Sequence, residues 1–269
     1  MPVGTEKQKT QALLELNEVL LALNHLIQGS GKVQRMLYVP YLQLMNDIYD
    51  GFSRQMNGVN QGNFKDNMDS LEKMMKINIH QMSSEALTHA IYYFCKFQTG
   101  SEDFWRALEN SLIRQVESMS VQQLSKILLA FIMNNRPIPE KLSKDLINTI
   151  FNKFERTDHM DIFYLCVSLG KGQRKLPADL VSSDFYYAIF LKLMSDSDKF
   201  DLYQLSQVGN FMCNPGALRN VPDELWSSAF EVQILKSIKE FEAHKELIQI
   251  PAFLDDLTSC LVSFGIRQQ

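Results

Sequence analysis

The chain has 269 residues, with 27 Lys+Arg against 31 Asp+Glu and a formal net charge of −4. Hydrophobic residues make up 45% and charged residues 22%, which excludes a collagenous, disulfide-scaffold or wholly disordered chain. The slight acidity supplies no broad electrostatic footprint for nucleic acid.

Helical periodicity dominates from the first residues. Ala12, Leu13, Leu16, Val19, Leu20, Leu23, Leu26 and Ile27 recur at three-four spacing. That predicts an amphipathic helix over 12–27, stopped by Gly29 and Gly31. A short piece ending before Pro40 and a helix from Tyr41 to about Met56 complete a helical N-terminal segment, 1–56. The run Asn57-Gly58-Val59-Asn60-Gln61-Gly62-Asn63 predicts a loop over 57–64 and the main boundary of the chain.

Residues 65–269 are expected to form a helix-pair repeat array. Five helices open on Leu87, Leu124, Leu165, Leu205 and Leu257, separated by 37, 41, 40 and 52 residues. A small residue follows each lead leucine: Thr88, Ser125, Cys166, Ser206 and Thr258. Small side chains there let neighbouring helices approach closely. Apolar residues at the lead, +4 and mostly +7 positions share one helical face. A second helix starts at Phe104, Leu142, Phe185 and Leu225, after acid-rich segments such as Ser101-Glu102-Asp103 and Ser183-Asp184. Capping and the helix dipole favour such starts. The expected units lie near 82–118, 119–157, 160–199 and 200–245, with a terminal helix at 253–265. Two helices per unit of about 40 residues predict an all-α fold, an α-solenoid of antiparallel helix pairs.

The segments Met82-Ser83-Ser84-Glu85-Ala86-Leu87 and Met119-Ser120-Val121-Gln122-Gln123-Leu124 each open a helix that ends in Phe94 or Phe131. Over about residues 80–265 the pattern resembles the degenerate helix-pair repeats of octotricopeptide and heptatricopeptide proteins and of the FAST-kinase-domain family. The pentatricopeptide pattern fits less well, because the unit here is longer. The resemblance implies an organellar setting and, often, RNA binding. Members usually carry a C-terminal RAP domain; here the helical pattern runs to the last residues, so none is expected, and the enzymatic and RNA-processing roles lose support.

The four cysteines, Cys95, Cys166, Cys213 and Cys260, are widely spaced in apolar helical surroundings. They predict buried free thiols in a reducing compartment. No apolar run approaches the roughly 20 residues of a membrane helix. The chain is expected on the matrix side of mitochondria, with the cytoplasm as the alternative.

Few motifs carry chemistry. Gln28-Gly29-Ser30-Gly31-Lys32-Val33 lacks the first Gly and the Ser/Thr of a phosphate-binding loop. His25, His80, His89, His159 and His244 show no metal-ligand spacing, and Asp158-His159-Met160-Asp161 reads as a helix cap. Trp105 and Trp226 read as inter-repeat packing rather than base-stacking platforms. Gly170-Lys171-Gly172-Gln173-Arg174-Lys175 is the compact basic cluster. Placed in a loop, Lys171, Arg174 and Lys175 are the candidate contacts to phosphate or to an acidic partner. The +2 series, His89, Lys126, Val167, Gln207 and Ser259, is too apolar for a one-unit-per-base code.

The expected function is therefore a non-enzymatic interaction or scaffold protein. It would be an accessory subunit bound to other proteins in a larger mitochondrial assembly, without catalytic residues, cofactor or metal. The alternative is an organellar RNA-binding repeat protein or ribonucleoprotein component.

Overall fold

The computed structural model describes residues 6–29, 38–52, 56, 58–172, 176, 180–196, 199–200, 204, 207–208 and 211. All regular structure among them is helical. The chain divides into two compact units, Met1–Ser118 and Met119–Gln269. Apart from Phe200, Gln204, Gln207, Val208 and Phe211, the expected unit at 200–245 and terminal helix at 253–265 lie outside the described residues.

The first unit holds α1 (Glu6–Gly29), α2 (Tyr38–Phe52), α3 (Gly58–Asn78), α4 (Ser84–Phe97) and α5 (Glu102–Gln115). Two expectations are corrected here. Pro40 lies inside the first turn of α2, where a missing N–H costs nothing. The loop expected over 57–64 is the start of α3. Its Gly and Asn content suggested a turn, but Asn60, Phe64, Asn67, Met68, Leu71 and Met75 form one buried face at helical spacing. That face packs on α1. The Asn60 amide donates to the Leu13 carbonyl (3.2 Å), Asn63 pairs with Asn17, the Asn67 amide donates to the Leu20 carbonyl (2.8 Å), and the Ser70 hydroxyl donates to Asn24 (2.9 Å). The separations are 47, 46, 47 and 46 residues. Constant separation means that α1 and α3 run in the same direction. No boundary falls at 57–64, because these rungs tie the two sides together.

The second unit holds α6 (Val121–Met133), α7 (Glu140–Lys153), α8 (His159–Gly172) and α9 (Ser183–Ser195). Gln122 meets Asp161, Ser125 meets Ser168 and Ile132 meets Gly172. These pairs advance together, so α6 and α8 also run in the same direction.

Burial follows the repeat register. The lead residues Leu87, Leu124 and Leu165 and the +4 residues Ile91, Leu128 and Leu169 are all inaccessible. Thr88, Ser125 and Cys166 are buried beside them. The hydroxyls of Ser83, Ser101, Ser120 and Ser182 each accept the backbone N–H three residues on, at 3.1–3.3 Å. Such caps stabilise a helix by about 1 kcal/mol each. The helices behind Phe104, Leu142 and Phe185 start two residues earlier than their apolar pattern, at Glu102, Glu140 and Ser183, because the acids form the first turn.

The Met-Ser pairs have a structural reason. Met82 and Met119 are buried, and each carbonyl accepts from a long side chain at the end of the second helix that follows it. Gln115 reaches Met82 at 3.1 Å and Lys153 reaches Met119 at 2.6 Å.

Two substitutions of opposite sign test the α1–α3 register. A Cβ on Gly62 meets nothing within 4 Å, so Gly62→Ala should stabilise the chain by up to about 1 kcal/mol, as in a helix interior. Asn67→Leu removes the donor to Leu20 and the acceptor of the Tyr41 hydroxyl, and should destabilise by about 1–3 kcal/mol. Urea unfolding of both variants reads the two signs.

Candidate functional site

The basic cluster is only partly in the described structure. Lys171 is half-buried in the last turn of α8, not in a loop; Arg174 and Lys175 lie outside the described residues. The helix persists because Gly172 is buried and sits hard against α6. A Cβ on it would lie 2.7 Å from Ile132 Cδ1 and 2.8 Å from Leu176 Cδ1. Lys171 thus stands at the carbonyl end of a helix, where a cation is favoured by the dipole. Gly172→Ala forces these side chains apart and should cost about 1–3 kcal/mol, read as a lowered urea midpoint with an unchanged slope.

The acids around His159 cap helices. Asp158 and Asp161 exchange bonds with each other's backbone N–H, at 2.8 and 3.2 Å. Asp161 also accepts the Gln122 N–H at 2.9 Å, so one carboxylate holds the starts of α6 and α8. Burial lifts its pKa above the ordinary 3.8, and the charge of Asp158 adds to the lift. The folded chain therefore takes up this proton more readily than the unfolded one. Its contribution to stability is fullest below pH 3.8 and declines as pH rises through the lifted value. Asp161→Ala should remove that decline and, at neutral pH, cost about 1–2 kcal/mol in lost capping. Unfolding free energies across the acid range for both proteins check the slope and the sign.

The remaining candidates are built into the scaffold. Trp105 is 2% exposed, with its indole N–H donated to the Thr99 carbonyl at 3.0 Å; Trp226 lies outside the described residues. Cys95 and Cys166 are buried, and burial pushes the pKa of the Cys166 thiol well above its ordinary value. Cys213, Cys260 and His244 lie outside the described residues. His80 meets Arg114, His89 stacks on Tyr93, and His159 faces Phe200. Among the described residues no three His, Cys, Asp or Glu side chains converge on a point able to hold a metal ion. None of these helices is long and apolar enough to cross a membrane.

Of the +2 series, His89 stacks on a tyrosine, Lys126 lies 4.5 Å from the Tyr164 ring centre and Val167 is buried. Ser259 lies outside the described residues. Two cavities stand out. One, of about 220 Å³ in the second unit, is bounded by Phe131, Ile138, Arg136 and Leu176. The other, an open cleft of about 590 Å³ in the first unit, lies between α3 and the α4–α5 turn. The cleft's Glu72 is already engaged by the backbone N–H and hydroxyl of Ser101.

The periodicity passed over one surface feature. Leu14 and Leu21 lie seven residues apart on α1 and are 57% and 42% exposed, while Leu16 and Leu20 are buried. Val19, expected in the core, is exposed as well. The seven-residue interval, off the main stripe, is the signal in the sequence.

No known protein family matches the chain, and no curated protein matches it.

Proposed function

We propose that the chain is a non-enzymatic helix-pair repeat protein of the α-solenoid type, an accessory subunit that binds protein neighbours in a larger mitochondrial assembly. The observation that carries this reading is the second apolar stripe of α1. A helix that buries Leu16 and Leu20 and also exposes Leu14 and Leu21 has more apolar surface than its own unit uses, as interface helices do.

The repeat reading is supported by pair geometry. Tyr38, at the start of α2, bonds to Met74 and Asn78 near the end of α3. Tyr49, near the end of α2, touches Phe64 near the start of α3. Those contacts run in opposite directions, as in an antiparallel pair. The mitochondrial setting rests on the resemblance of the Met82–Leu87 and Met119–Leu124 segments alone. The RNA-binding alternative is less favoured, because a base reader needs exposed polar side chains where Cys166 and Val167 are buried.

Density-gradient sedimentation of the tagged full chain from mitochondrial extracts tests the reading. It should travel with a complex much heavier than itself. Leu14→Glu/Leu21→Glu should release it while shifting stability by no more than about 0.5 kcal/mol, as exposed substitutions do. A wild-type chain that sediments free overturns the proposal. Salt-sensitive binding of single-stranded RNA by the purified chain transfers it to the RNA-binding alternative.

A further inference from the structure

The outer side of the α1–α3 seam carries an apolar line that the two helices share. Successive residues turn by about 100° around a helix. On α1 the side chains that reach α3 are Asn17 and Asn24. Leu14 and Leu21 stand beyond them, on the side away from buried Leu16 and Leu20. On α3 the rungs are Asn60, Asn63, Asn67 and Ser70, with Phe64, Met68, Leu71 and Met75 buried to one side. Val59 and Asp66 stand to the other side. The bond from Asn60 to the Leu13 carbonyl brings Val59 within a turn of Leu14 along the seam, so the two helices bound one groove.

Val59 is 64% exposed. Fold stability does not account for it, since a β-branched residue is a poor choice for an exposed helix position. The charges along the groove have one sign. Glu18 lies between Leu14 and Leu21, and Asp66 precedes the Asn67 that bonds to Leu20; both acids are exposed. Between Thr10 and Gly31 the sequence holds no Lys or Arg. The constant separation of 46–47 residues places the other cations. Lys7 and Lys9 precede the level at which α3 begins, and Lys76 is level with the end of α1. Lys65 and Lys73 border the cleft toward the α4–α5 turn, beside Asp69 and Glu72. His25 stands one turn past Leu21. From Val59 to Leu21 the groove is therefore apolar and acidic.

We infer that this groove docks a basic amphipathic helix of a partner protein, with its apolar side chains on Leu14, Leu21 and Val59 and its Lys or Arg side chains on Glu18 and Asp66. Leu14 and Leu21 are about 10 Å apart along α1, which matches two turns of a helix with apolar residues at seven-residue spacing. Charge complementarity selects the sign of the partner. The same acids repel nucleic acid and an anionic bilayer. A second copy of this chain laid in the groove by its own α1 would bring Glu18 against Asp66. The inference rests on the reading of Leu14 and Leu21 as an interface and gives the class of its partner.

The probe is a fluorescein-labelled helical peptide of Lys and Leu at amphipathic spacing, titrated against the full chain by anisotropy. A Lys/Ala peptide and a Glu/Leu peptide serve as counterparts. The Lys/Leu peptide should bind at least about tenfold more tightly than either, and more weakly as salt rises. Val59→Ser/Leu21→Ser and Glu18→Lys/Asp66→Lys should each weaken it by about tenfold or more, with helical circular dichroism unchanged. Asp47→Lys/Glu155→Lys, which reverses two exposed acids elsewhere, should leave binding as it is. Equal binding of the Lys/Ala peptide, no effect of the Val59/Leu21 change, or an equal loss on the Asp47/Glu155 change overturns the inference. So does a dimer of the chain that forms through Val59 and Leu21 and shuts out the peptide. A chain that travels in a heavy complex, is released by the Leu14/Leu21 change and yet ignores the peptide loses this class of partner alone. A chain that sediments free but binds the peptide loses the assembly role and keeps the groove.

Discussion

The Ser168 hydroxyl of α8 lies 2.7 Å from the Ser125 carbonyl of α6. A side-chain hydroxyl reaches the backbone of another helix only where the two axes come close, which small residues at the points of closest approach allow. Ser125, Cys166, Ser168 and Gly172 meet the requirement and are all buried. A methyl group on Gly172 would have to displace the ends of the Ile132 and Leu176 side chains. The same demand is met differently between α1 and α3, where Asn60, Asn63, Asn67 and Ser70 reach across with polar tips. Both seams join helices two apart in the chain and running in the same direction. The polar rungs fix the register as well as the distance, because a shift of one helix along the other would leave these donors without their partners.

This seam logic explains why so much of the polar chemistry is structural. Asp161 looks like part of an acid–histidine cluster in the sequence, yet its carboxylate is occupied by backbone N–H groups at the starts of α6 and α8. Glu72 does the corresponding work at the start of α5. Lys153 spends its charge on the Met119 carbonyl. A carboxylate at a helix N-terminus and a cation at a C-terminus both answer the helix dipole. Residues placed for that purpose are held by the fold and are poor candidates for moving protons in a reaction.

How far the sequence discloses the fold depends on which interaction sets each position. Apolar burial has a period, so Leu87, Leu124 and Leu165 and their small neighbours could be placed from it, and the starts of α5, α7 and α9 to within two residues. Serine caps are partly legible: Ser101 heads an expected helix entry, whereas the cap of α9 is Ser182, one residue before the expected Ser183. The start of α3 was not legible as a helix, because Asn and Gly have weak helix propensity and its stability comes from tertiary bonds to α1. Asn60, Asn63 and Asn67 nevertheless stand at three-four spacing, a polar stripe that only a partner helix turns into a seam. Lys171 failed for a similar reason. Gly170 and Gly172 look like loop residues, but both are buried in α8, with Gly172 close to the Ile132 side chain of α6. The second apolar stripe of α1 was hidden by the first, since a periodicity search stops once one face is explained.

The exposed apolar residues belong to two kinds, and the distinction bears on what each surface can hold. Leu14 and Leu21 are flexible leucines with Gln11 and Glu18 near them on α1. Affinity there comes from area removed from water, at about 25 cal/mol per Å² before association costs. Ile77 and Ile113 are stiff at the first side-chain torsion, and each has acids as well as cations near it in sequence. Their contribution is smaller in area but pre-ordered. Neither requires a pocket, so neither leaves the concave, polar signature by which catalytic sites are recognised. The two surfaces therefore have to be read from exposure and charge, position by position, on helices whose buried faces are fully explained by the fold.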